Sequence, residues 1–194
     1  KDHKMKESYE NSLLVATKNF RYPRCVMKPK GVVHGGGIVD IRPHSKHVNL
    51  RVLGLILNSR LTQYVCTRYL TNYSQLTTCL NTGILEDLPI IEPTHPEVYE
   101  LLFNALCFLY TSHEKNAKYR DFFELLGNAL VYDLYFSDDV LFQEYATNLL
   151  KNTSSDMKPN MLYERLHTDR IIDSIESIMK MSIVQEIEDR LRRN

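Results

Sequence analysis

Between Cys66 and Cys79 the chain reads CTRYLTNYSQLTTC. Arg68, Asn72 and Gln75 in this stretch have side chains that hydrogen-bond to the edges of nucleic-acid bases, and Tyr69 and Tyr73 have rings that bond to bases or stack on them. Upstream, Arg21, Arg24, Lys28 and Lys30 are suited to phosphate contacts, and Arg60, a few residues ahead of the stretch, extends the set. The chemistry these types could do together is recognition of DNA, in which phosphate contacts fix the position of the protein and base contacts choose the sequence. Two plainer uses stand beside it. Tyr69 and Tyr73, four residues apart, could pack on their own domain, and the basic residues could be ordinary solvated surface.

Other chemistries find less support. Cys25, Cys66, Cys79 and Cys107 are scattered without a Cys-x-x-Cys spacing, and none has a His in a metal-ligand rhythm, which points to reduced thiols in a cytoplasmic protein. Gly31 and Gly35 to Gly37 have the look of a phosphate-cradling loop, but no Lys-Ser/Thr follows them and no helix is expected there, so a turn is the better reading. His34, beside those glycines, reads as structural or surface rather than as a ligand. Asp138 and Asp139 are adjacent acids without the Lys partner of a magnesium-dependent nuclease, and they head a helix, where capping is their expected role. Neither a metal nor a cofactor is expected in this chain.

At 194 residues and 43% hydrophobic, the chain can bury one good core, or one core with a helical appendage. No run approaches the ~18 apolar residues of a membrane span, and no secretory signal opens the sequence, so a soluble protein is expected. It begins with Lys1 rather than Met, which suggests a piece of a longer polypeptide. The net charge of zero hides a division: residues 1–91 hold 13 Lys+Arg against 6 Asp+Glu, and residues 92–194 hold 11 against 18. A basic half joined to an acidic half is consistent with only the first facing a polyanion.

The elements that must position the candidate residues can be read from hydrophobic period. Ser12 to Thr17 and Arg24 to Lys28 have strand composition, and Ile38 to Arg42 alternates strictly after the glycine turn before Pro43 ends it. From Asn49 the period becomes helical, with Leu50, Leu53, Leu57 and Leu61 on one face and Val52, Ile56 and Tyr64 widening it. Beyond residue 92 helices dominate. One is expected with Thr94 as N-cap, Pro96 in its first turn, and Val98, Leu101, Leu102, Ala105, Leu106 and Leu109 stacked. A second covers about Lys118 to Tyr135, and a third starts at Ser137 and carries Val140, Leu141, Tyr145, Leu149 and Leu150. A last long helix has a stripe of Ile172, Ile175, Met179, Ile183, Ile187 and Leu191. The expected fold is α+β: a small mixed α/β lobe over 1–93, then a mainly helical lobe over 94–194.

Basic strands with a glycine turn come first, then Leu53, Gly54, Leu55, Leu57, Asn58, Ser59 and Leu61, then a polar aromatic stretch. Leu85, Leu88, Pro89, Ile90 and Pro93 close the series. In that order the pieces resemble the TaqI-like C-terminal specificity domain of adenine-specific DNA methyltransferases, over about residues 10–95. The resemblance implies a target-recognition domain of a restriction-modification enzyme, with double-stranded DNA as partner. It also implies a catalytic methyltransferase domain on the same polypeptide, which would hold S-adenosylmethionine. Such a domain needs a glycine-rich cofactor loop and an Asn/Asp-Pro-Pro-Tyr/Phe motif, and this chain has no Pro-Pro dipeptide. The fragment itself is therefore expected to be non-catalytic, with the helical half buttressing the recognition lobe or docking the rest of the enzyme. The rival reading is a helical protein-interaction module with no DNA-binding role.

Overall fold

The computed structural model describes residues 12–18, 22–28, 32–43, 48–71, 79–111, 117–136, 173, 175–177 and 179–193. The chain is an α+β protein, with a three-stranded antiparallel sheet at its N-terminal end followed by a mostly helical region. It divides into two compact units, 1–90 and 91–194.

In the first unit, β1 (Leu13–Ala16) lies between β2 (Arg24–Met27) and β3 (Ile38–Ile41), with Leu13 facing Met27 on one side and Ile41 on the other. The unbroken apolar run of β1 suits a central strand: Leu13 and Val15 are wholly buried on one face, and Leu14 is buried on the other. Of the three consecutive glycines, only Gly37 is required by the fold. Its φ is +93°, and an added Cβ would come within 2.8 Å of Lys18 Cβ, whereas Gly35 and Gly36 have open space. The Gly37 carbonyl accepts from the Thr17 and Lys18 amides and the Thr17 hydroxyl, at 3.0, 3.3 and 3.1 Å, which ties the start of β3 to the end of β1. A strand follows the glycines, as the turn reading requires.

Asn49 caps α1 (Leu50–Asn58), its side chain accepting from the Arg51 and Val52 amides at 3.1 and 3.3 Å. The helix buries Leu50, Val52, Leu55, Ile56 and Leu57 and packs on β2 and β1. The single helix expected from Asn49 is in fact two. Ser59 is extended, ending α1 and capping α2 (Arg60–Val65) through its hydroxyl, which accepts from the Thr62 amide. Thr62 Oγ1 in turn donates to the Ile56 carbonyl at 2.7 Å. This break changes the helical phase, so Leu61 stays buried while Tyr64 leaves the apolar face and is 51% exposed. A π-helical turn, Cys66–Leu70, continues α2, and the short α3 (Thr82–Glu86) follows, with Leu88 buried after it.

In the second unit, α4 (Pro96–Thr111) and α5 (Ala117–Phe136) pack together around Tyr99, Leu102, Phe103, Phe123, Leu126 and Leu130. Pro96 opens α4, so His95 rather than Thr94 precedes the helix. Tyr99 Oη donates to the Leu130 carbonyl at 3.1 Å, joining the two helices. Burial, with Asp133 and Tyr135 adding to it, holds that phenol well above its ordinary pKa. The last helix, α6 (Ser182–Arg193), packs on α5 and starts after a turn at Lys180–Met181. The turn interrupts the expected continuous stripe and brings Val184 into the core alongside Ile175. The helix expected from Ser137, and Ile172, lie outside the described residues. No helix among the described residues is long and apolar enough to cross a membrane.

Candidate nucleic-acid interface

The candidate residues sit on two elements of the first unit. Arg24 projects from the exposed face of β2, where its guanidinium lies 5.4 Å from the centre of the Tyr22 ring and donates to Tyr22 Oη at 2.9 Å. Arg60 opens α2, and Arg68 and Tyr69 lie on the π-helical turn, all three exposed. Arg21, Lys30, Asn72, Tyr73 and Gln75 fall outside the described residues. Thr71 is buried and its amide donates to the Cys66 carbonyl at 2.9 Å, while Cys79 pairs with Lys18 and the Leu80 amide donates to the Thr17 carbonyl at 2.9 Å.

Lys28 corrects the sequence reading. Its ammonium lies 3.3 Å from Asp40 Oδ2, and the side chain is 4% exposed, so this charge is used inside the fold rather than offered to a phosphate. His34 Nε2 and Arg42 Nη2 approach the same oxygen at 3.4 and 3.5 Å, giving His34 the structural role expected of it. Burial alone would raise the Asp40 carboxyl. The Ser12 hydroxyl, Lys28 and Arg42 outweigh it and hold the group below the ordinary carboxylate pKa. Ser12 Oγ is near enough to exert that effect, yet the pair falls short of hydrogen-bond geometry, and Ser12 Oγ and Asp40 Oδ1 are both buried without a hydrogen bond.

What joins the two candidate elements is Asn58. The Cys25 amide donates to Asn58 Oδ1 at 2.7 Å, and Asn58 Nδ2 donates to the Cys25 carbonyl at 2.9 Å. Cys25 thus turns both backbone groups away from β1, and the carboxamide meets them as a neighbouring peptide would. The strand that carries Arg24 is held to the helix end that leads into Arg60. This gives the Leu-Asn-Ser sequence a physical purpose: Asn58 fastens the sheet edge and Ser59 turns the chain into the next helix. Beneath the π-turn, burial pushes the Cys66 thiol up to about 11, so it stays protonated at neutral pH and serves as packing.

The exposed side of α2 and the π-turn carries Arg60, Gln63, Tyr64, Arg68 and Tyr69. Tyr64 and Tyr69 meet edge-to-face, with ring centres 6.0 Å apart and planes at 77°. The structure thus places Tyr69 on the surface, 68% exposed, rather than packed on its domain. Tyr64 is not among the sequence candidates, because its spacing from Leu57 and Leu61 assigns it to the buried face. The Asn58-Ser59 pair, a stop signal followed by a cap, is the sequence feature that moves it off that face. From residue 41 to residue 85 the chain has no Asp or Glu, while Arg42, Lys46, Arg51, Arg60 and Arg68 lie within that range. Among the described residues no group of three His, Cys, Asp or Glu could hold a metal ion. No protein-family model, curated protein or solved structure matches the chain.

Proposed function

We propose that this chain is the DNA sequence-recognition part of a restriction-modification adenine DNA methyltransferase, and that it positions double-stranded DNA for a catalytic domain on the same polypeptide. The observation that carries the proposal is the strip of Arg60, Tyr64, Arg68 and Tyr69 on a stiff pair of helical turns, within a 41–85 segment that has no carboxylate to repel phosphate. Arg24 and Arg60 take phosphates, and Arg68 and Tyr69 face the bases, with Asn72, Tyr73 and Gln75 following in sequence. S-adenosylmethionine belongs to the catalytic domain, and this chain supplies site choice rather than chemistry. The TaqI-like order of motifs supports the same reading. The test is fluorescence anisotropy with labelled duplex DNA over a range of salt. Binding whose log affinity falls linearly with log salt is expected, and no binding at low salt would end the proposal.

One observation favours a second reading, a protein-interaction module. In the second unit Tyr132 and Phe136 are 46% and 67% exposed, with rings 6.0 Å apart, and exposed aromatics are common anchors of protein interfaces. That reading predicts a protein partner and no affinity of either unit for DNA.

A further inference from the structure

An exposed tyrosine beside an exposed arginine is commonplace on protein surfaces. What distinguishes Tyr64 and Tyr69 is how they come to be neighbours. In a regular α-helix the residue beside Tyr64 one turn on is at i+3 or i+4, which would be Thr67 or Arg68. The bond from the Thr71 amide to the Cys66 carbonyl, 2.9 Å long, spans five residues and widens the turn. The wider turn brings the i+5 residue, Tyr69, against Tyr64 and leaves arginines at 60 and 68 on the same exposed side. Such π-turns are uncommon and concentrate at functional positions.

We infer that the Tyr64–Tyr69 pair is a stacking site for an unpaired base of DNA, whose flanking phosphate is taken by Arg60 while Arg68 keeps its place at the bases; this rests on the DNA-recognition reading above. Bases inside an intact duplex present only their edges in the grooves, so a tyrosine ring face gains a base face only where the base has left the stack. The edge-to-face arrangement holds each ring at a set angle to the other, so a base laid on one ring meets an ordered surface. The absence of carboxylates from 41–85 selects an anionic ligand over a cationic or neutral one. Stacking accepts any base, so this site would contribute affinity for an extruded nucleotide while the choice of sequence stays with the hydrogen-bonding side chains.

The experiment compares the full chain binding a fully paired duplex with its binding of the same duplex carrying one unpaired adenine. The unpaired base should improve affinity about tenfold, within the range of a single base–aromatic stack. Tyr69→Ala and Tyr64→Ala should each remove most of that preference while leaving the salt dependence of binding unchanged, and Tyr69→Phe, which keeps the ring face, should retain it. Circular dichroism checks that the variants fold, as the exposure of both rings leads one to expect. Equal affinity for the two duplexes would overturn the stacking site and leave the DNA-recognition reading intact. Preference that survives in both alanine variants would overturn it too. Failure to bind either duplex would overturn the DNA-recognition reading and the stacking site with it.

Discussion

Lys28 carries its ammonium to 3.3 Å from Asp40 Oδ2 with 4% of its side chain exposed, and such a charge is tolerable only while its partner stays ionised. Asp40 is held below the ordinary carboxylate pKa, so the stabilisation it contributes is fully present above its unfolded value of about 3.9 and is lost as pH falls through the lower, folded value. Urea unfolding of the first unit, followed by circular dichroism, should therefore show falling stability below about pH 4. Asp40→Asn should cost about 3 kcal/mol near neutrality, because it removes the carboxylate that pairs with the buried Lys28 ammonium. It should also flatten the acid limb of the pH profile. An unchanged midpoint in that variant would mean that solvent or other acceptors satisfy Lys28 without Asp40. Lys28→Ala should likewise weaken folding and leave the salt slope of DNA binding untouched, which separates it from Arg24.

At the scale of elements, three positions hold the first unit in register. Asn58→Ala removes two hydrogen bonds from the backbone of Cys25 and should cost about 2 kcal/mol, at about 1 kcal/mol each. Ser59→Ala removes the cap of α2 and should cost about 1 kcal/mol. Gly37→Ala forces a side chain into a left-handed backbone and against Lys18, so it should cost more than about 1 kcal/mol, while Gly35→Ala and Gly36→Ala should be close to neutral. Equal costs at the three glycines, measured by denaturant midpoint, would refute the reading of the turn. These positions also show which parts of the fold are legible in the sequence. The strands and the start of α1 rest on short-range signals, namely the LLVA run, the alternation of Ile38 to Ile41, and the Asn49 cap. Asn58 bonds to Cys25, 33 residues away, and Lys28 pairs with Asp40, 12 residues away, so neither partner can be found by period. Arg60, Arg68 and Tyr69 can be picked by residue type. Tyr64 is hidden by the spacing of apolar residues, which marks neither a helix break nor a widened turn, and only the Asn58-Ser59 pair signals the break.

At the scale of the whole molecule, charge is distributed so that one unit can approach a polyanion and the other resists it: 13 Lys+Arg to 6 Asp+Glu in residues 1–90, against 11 to 18 in residues 91–194. Since affinity for duplex DNA is largely release of counterions from phosphates, each cation that touches a phosphate adds roughly 0.9 to the slope of log affinity against log salt. Arg24→Gln and Arg60→Gln should therefore weaken binding to all sequences alike, and each should lower the slope by that amount. Arg68→Ala should behave differently, because a bidentate base contact contributes about 1 to 3 kcal/mol of discrimination. It should relax sequence preference more than it lowers salt sensitivity. Glu97 and Asp121 have side chains 53% and 75% exposed in the acidic unit, and Glu97→Gln and Asp121→Asn should cost no DNA affinity, since carboxylates there can only repel phosphate. A salt-titrated binding series on these variants checks all three groups together. Loss of binding in the acidic-unit variants with binding retained in the basic-unit variants would reverse the assignment of the two units, and the exposed Tyr132–Phe136 pair would then be the place to look for a protein partner.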